Sequence, residues 1–391
     1  MVGAGVFAAP GPAAAAGGTW LLAGLAIAAV VAYANATSSA QLAALYPEAG
    51  GTYVYARQRL GDYWGFLAGW GFVVGKTASL AAMALTFGAY VDPELARPLG
   101  IGAVAALTVV NYRGVEKTAR VTRVIVALVL GALVVTVAAS LLGGQARVAN
   151  LSGDLPNGVW GVLQSAGLLF FAFAGYARLA TLGEEVASPE AAIPRAIPIA
   201  LGIVIAVYAV VLTAALLAAG PEQLAGASAP LAAAVAQGRW AVLTPVVRAG
   251  AALAAAGVLL SLLAGISRTV LSMARRRELP GFLDAVHPRY RTPHRAEAAA
   301  AVVVCAVVLV ADLRGAIGFS SFAVLTYYAL ANASAWTLTD AERRWPRWLA
   351  GAGLVLCVVL AFTLPFVAVT GGLALLASGS LVWLVTARRR A

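Results

Sequence analysis

The chain has 391 residues, 62% of them hydrophobic and only 11% charged, and its mean hydropathy is +0.88. That composition excludes a soluble globular domain and gives an integral α-helical membrane protein, because each span needs ~20 apolar residues to cross a ~30 Å hydrocarbon core. The net charge of +11 would suit nucleic acid, but its placement along the chain reads as membrane topology and no nucleic-acid partner is expected.

Apolar segments are predicted at 6–16, 19–45, 63–90, 98–112, 121–142, 158–183, 196–219, 241–273, 297–311, 315–338, 348–365 and 367–387, about twelve transmembrane helices in all. With the first segment running outward, 21 of the 27 Lys and Arg fall on one side, five fall on the other, and Lys76 lies inside a span. The basic excess marks the cytoplasmic side of a multi-pass cytoplasmic-membrane protein, with its C-terminus inside and anionic lipid as a contact. No charged n-region precedes the first apolar stretch, so a cleaved signal peptide is not expected.

The first segment opens with Gly3-Ala4-Gly5-Val6-Phe7. Lacking Cβ atoms, the glycines let backbone N–H groups approach a ligand, and a helix starting near Val6 presents a positive dipole end suited to a carboxylate. The competing reading is that small residues only permit close helix packing. Pro10 and Pro12 fall in the first turns, where a missing N–H costs least. Next, 46–70 reads as a cytoplasmic hairpin. Pro47 ends a helix, Gly50-Gly51 permits positive φ, and Tyr53, Tyr55, Tyr63, Trp64 and Trp70 fit an interfacial aromatic belt.

Lys76 sits mid-span, where an unpaired cation is costly and marks function. It is the candidate coupling residue, with helix-end carbonyls as its expected partners, and it would disfavour cationic substrates.

A second interrupted helix covers 170–198. Its first half ends near Phe173-Ala174 and breaks at Gly175. The freed carbonyls make a negative end for an ammonium or a cation, with Phe171, Phe173 and Tyr176 as aromatic walls. Two glycine-interrupted segments in corresponding positions of two halves point to a transporter's midplane site. Facing ends of opposite polarity describe a receptor for a zwitterion, most simply an α-amino acid. Glu184, Glu185 and Glu190 follow the break and could close an inner gate against Arg195, Arg57 or Arg59, although a solvated charged end explains them equally.

Cys305 and Cys357 lie in apolar runs and read as buried thiols, while His287 and His294 sit in a basic loop and read as solvated. There is no P-loop, no Cys/His cluster and no buried His/Asp/Ser constellation, so neither an ATP engine, a metal, a cofactor nor an enzyme is expected.

The glycine triplet, Pro47-Glu48-Ala49-Gly50-Gly51-Thr52-Tyr53, Gly69-Trp70, Asn111-Tyr112-Arg113-Gly114-Val115, the Phe170–Pro198 block and Ser267 through Pro280 resemble, in order, the amino acid–polyamine–organocation (APC) superfamily of permeases. The resemblance implies a LeuT-like fold: a 5+5 inverted repeat, here 1–142 and 158–338, followed by two additional helices in 348–391. It implies alternating access, with the substrate carboxylate on the amides of Gly3, Ala4 and Gly5. The amino group would lie on carbonyls near Phe171 and Ala174, beside Gly175 and an aromatic wall at Phe171 or Tyr176. Two family positions differ: a fifth-helix lysine of some proton-coupled relatives is Val129 here, and an acidic residue after the sixth-helix break is Ala177. The resemblance implies about ten to twelve residues before the glycine triplet, forming the inner half of the first helix, so the first helix is expected to be N-terminally truncated in this chain. The reading that follows is an amino-acid permease driven by the proton motive force as symporter or exchanger. The alternatives are a Na⁺-coupled or amine/polyamine carrier and a non-transporting membrane sensor. The oligomeric state is left open.

Overall fold

The computed structural model describes residues 2–48, 50–114, 119–153, 155–176 and 189–388. Among the described residues every regular element is helical, as the composition requires: in lipid, a helix satisfies all its backbone groups within one segment.

The first run is α1 (Gly5–Ala8) and α2 (Pro10–Gly17), joined through Ala9, which keeps helical dihedrals. Gly18, at φ 57° and ψ −133°, turns the chain into α3 (Leu21–Leu45). Then come α4 (Thr52–Leu60), α5 (Asp62–Val91), α6 (Ala96–Tyr112), α7 (Ala119–Leu142) and α8 (Gly158–Phe173). After the break follow α9 (Pro189–Gly226), α10 (Pro230–Ala236), α11 (Thr244–Arg275), α12 (His294–Val310), α13 (Leu313–Trp336), α14 (Arg347–Thr363) and α15 (Phe366–Arg388). Non-helical dihedrals at Gly220 split α9 (φ 72°, ψ 168°).

Among the described residues, seven stretches are long and apolar enough to cross a membrane. These are Pro10–Leu45, Asp62–Val91, Thr122–Leu142, Pro194–Gly226, Ala241–Arg275, Leu313–Trp336 and Phe366–Thr386. The other expected spans are helices of 16 or 17 residues, α6, α8, α12 and α14. The helical cores therefore fall where the hydropathy put them.

α5 lies at the centre. It packs against α11 and α13 as well as α4 and α6, and small residues set the approach: a Cβ on Gly75 would sit 2.5 Å from the Ala323 methyl. Ser79, one turn on, hydrogen-bonds Ser320, so one face of α5 is pinned to α13. Lys76, the residue after Gly75, is thereby rotated ~100° off that face.

The hairpin differs from expectation in one respect. Gly50 and Gly51 do take positive φ (141° and 57°), but Tyr53 and Tyr55 are fully buried rather than placed at an interface, because α4 lies under α5 and α13 instead of along the headgroups. Trp64 remains exposed.

Candidate functional site: two helix ends joined at bilayer depth

The α1–α2 run covers residues 5–17 and α8 covers 16 residues, about 20 and 24 Å at 1.5 Å per residue, each shorter than a ~30 Å hydrocarbon core. They lie side by side and antiparallel. A Cβ on Gly5 would meet the Ala172 Cα at 2.6 Å, and one on Gly17 would meet the Ser165 Cβ at 2.9 Å. The start of α1, where helix-end amides lie, therefore adjoins the end of α8, where helix-end carbonyls lie. At Gly5 the two backbones touch, so this glycine is required for close packing, and the cleft expected between the ends is replaced there by direct contact.

A residue that sequence reasoning missed fastens the end of α8. Tyr208, buried on α9, donates its hydroxyl to the Ala172 carbonyl at 3.0 Å. Its ring lies 5.2 Å from that of Phe173. A lone tyrosine in an apolar run carries no sequence signal of such a role. On the opposite side Tyr90 of α5 donates to the Phe7 carbonyl at 2.9 Å and accepts from the Leu231 amide of α10 at 3.2 Å, fastening the short helix α10 over the first helix.

Lys76 is 5% exposed, and its Nζ donates to the carbonyl of Ala174 at 3.4 Å. That carbonyl belongs to the 3₁₀ turn Ala174–Tyr176 which closes α8. The Ala174 amide in turn donates to the Phe171 carbonyl, so of the two carbonyls singled out by sequence one is held within the chain end and the other faces a lysine. Phe171 is only half-buried, whereas Phe170 and Phe173 are buried. Gly175 is exposed; the Tyr176 side chain, Ala177, Glu184 and Glu185 lie outside the description. Val129 is buried on α7.

The inner-gate pairing takes a different form at the end that carries the Lys/Arg excess. Arg57 binds the fully buried Glu278 and also Asp62 at 2.8 Å, and Arg59 binds Glu342. Tyr53 donates to Glu278 at 2.7 Å. Burial first, then the Glu278 charge, pushes the Tyr53 phenol up. The Arg59 hydrogen bond holds the Glu342 carboxyl down to about 2. Arg195 is exposed. The partners of Arg57 and Arg59 come from the ends of α11 and α13, elements remote in sequence. The two histidines are also not freely solvated: both are half-buried, and the rings of His287 and His294 pack edge-on to Tyr112 at 5.3 and 6.1 Å. Cys357 is fully buried and donates to Asn35 Oδ1 at 3.2 Å, while Cys305 is half-buried.

The sequence pattern of the family described as Amino acid permease matches residues 1–386. The chain belongs to the amino acid permease family. It is 59% identical, over 97% of its length and 86% of the relative's, to an uncharacterized transporter of Mycobacterium tuberculosis. It is 26% identical to the branched-chain amino acid permease BcaP of Bacillus subtilis, over 75% of this chain and 68% of that one. It is 27% identical to the cationic amino acid transporter 7 of Arabidopsis thaliana, over 85% of this chain and 62% of that one. The permease is thus a multi-pass membrane transporter. Its family relatives at similar identity are named for different substrate charges.

Proposed function

We propose that this permease carries a neutral α-amino acid across the cytoplasmic membrane by alternating access, coupled to protons through Lys76. The face bearing the basic excess is cytoplasmic and the C-terminus lies inside. The division into repeats 1–142 and 158–338, with 348–391 appended, belongs to the same reading.

One observation carries it. The start of α1 meets the end of α8 at Gly5 and Ala172. Amides of Gly3, Ala4 and Gly5 suit the substrate carboxylate, and the carbonyls of the α8 end suit its ammonium. Tyr208 and Lys76 hydrogen-bond two carbonyls at the α8 end, so substrate replaces protein hydrogen bonds there and does not have to fill a ready-made void. A second positive charge on the substrate would face the Lys76 ammonium, which favours neutral side chains.

A thermal-shift screen of purified protein against the twenty protein amino acids tests binding, because a ligand that binds only the folded state raises the midpoint by mass action. Uptake of the strongest hit into proteoliposomes, under a pH gradient or a Na⁺ gradient, tests coupling. No shift with any amino acid would overturn the substrate assignment, and stimulation by Na⁺ alone would overturn the proton.

A further inference from the structure

Resting on that reading of the site, we infer that a proton on Lys76 and the ammonium of the substrate compete for the end of α8, making the permease a proton–substrate antiporter or exchanger and not a symporter.

The geometry leads there in three steps. The Gly75–Ala323 contact and the Ser79–Ser320 hydrogen bond fix the rotation of α5, which leaves Lys76 no freedom to swing to α13. Its ammonium has three donors, and the hydrogen bond found for it goes to the Ala174 carbonyl at 3.4 Å. Of the neighbouring carbonyls, that of Ala172 accepts from Tyr208 and that of Phe171 from the Ala174 amide. The substrate ammonium and the Lys76 ammonium would therefore share one acceptor group inside the bilayer, where like charges in contact repel strongly.

The surroundings offer no second charge to absorb that conflict among the described residues. α1 and α8 have no ionisable side chain, and α13 contributes Arg314 in its first turn, Tyr327 beside Phe72 and Tyr328 beside Phe170. On α11, Arg248 reaches the Tyr90 carbonyl and Arg275 pairs with Asp284, both near the helix ends; Arg268 is exposed. Charges on α4, α6, α12 and α15 lie in end turns. Tyr208 on α9 faces Ala172 and keeps its proton in donating to it.

The balance is one for one. When the substrate binds, the Lys76 N–H bond breaks, its proton passes to the aqueous phase on the side open at that moment, and the neutral amine no longer opposes the incoming ammonium. When the substrate leaves, the amine takes a proton from that side. A proton thus crosses opposite to each substrate molecule.

Linkage fixes the sign: binding that releases one proton tightens as pH rises, by about tenfold in Kd per pH unit while Lys76 is protonated in the free protein. The test measures the Kd of L-leucine, L-serine and L-alanine by calorimetry across a pH series kept below the titration of the substrate amine. The expected result is the tenfold slope in the wild type and a flat profile in Lys76→Met, with Lys76→Gln as a second variant should the first not fold. In proteoliposomes, uptake is expected to accelerate with the interior acidic. A wild-type Kd that is flat or weakens with rising pH, or uptake accelerated by an acidic exterior, would overturn the inference while leaving amino-acid binding in place. Failure of all twenty amino acids in the screen above would instead remove the substrate reading beneath it.

Discussion

The hydroxyl of Tyr208 donates to the carbonyl of Ala172 at 3.0 Å, fastening α9 to the end of α8. Tyr208→Phe removes the donor to that carbonyl of a buried residue. A loss of about 1–3 kcal/mol is expected, read as a lowered thermal midpoint. Substrate affinity should change in the same variant, because the freed carbonyl is among those offered to the substrate. An unaltered midpoint and unaltered binding would mean the bridge has no energetic role.

Gly5→Ala should be poorly tolerated. The added methyl would begin 2.6 Å from the Ala172 Cα, which is backbone and cannot rotate away. Overpacking of this kind costs typically about 1–3 kcal/mol, and the displaced helix end should abolish uptake. Gly131→Ala is the control, because nothing lies within 4 Å of its would-be Cβ; it should transport as the wild type does.

Breaking the pair between Arg57 and Glu278 from one side should be costly. Glu278 is fully buried, so Arg57→Ala leaves an inward charge held by Tyr53 without its guanidinium. A loss of about 3–5 kcal/mol is the usual scale for such a cut. Arg57→Ala combined with Glu278→Gln should be less damaging than the single change, and a double-mutant cycle on chemical denaturation measures the coupling.

The Arg59–Glu342 pair predicts a pH effect of defined sign. The folded-state carboxyl of Glu342 is held at about 2, below its ordinary 4.5, first by its hydrogen bond to Arg59. A depressed carboxyl contributes stability above its unfolded value and loses it as pH falls toward the folded one. Thermal midpoints should therefore decline in the window from 4.5 down to 2, with a shallower decline in Glu342→Gln. Equal slopes in the two proteins would show that the pair is too solvent-screened to matter.

Much of the architecture was legible because hydropathy acts locally. The break after Phe173, the turn at Gly50-Gly51 and the isolation of Lys76 are properties of short stretches. The partners were not legible. Arg57 and Arg59 lie in one short helix, and nothing near them in sequence indicates Glu278 or Glu342, more than two hundred residues on. Tyr53 and Tyr55 read as interfacial because aromatics near a span end usually are, and only the burial of α4 under α5 and α13 places them inside.

By itself, the sequence determined that this is a multi-pass helical membrane protein and where its helices run, since each of these follows from the solvation of a short stretch of backbone and side chains by lipid. The tertiary structure alone decided what meets the exposed helix ends. Gly5 against Ala172, Tyr208 on Ala172, and Lys76 on Ala174 are contacts between residues 36 to 167 positions apart, set by which small residues let which helices touch. The cost of leaving a polar group unpaired in hydrocarbon requires a partner without specifying which residue supplies it.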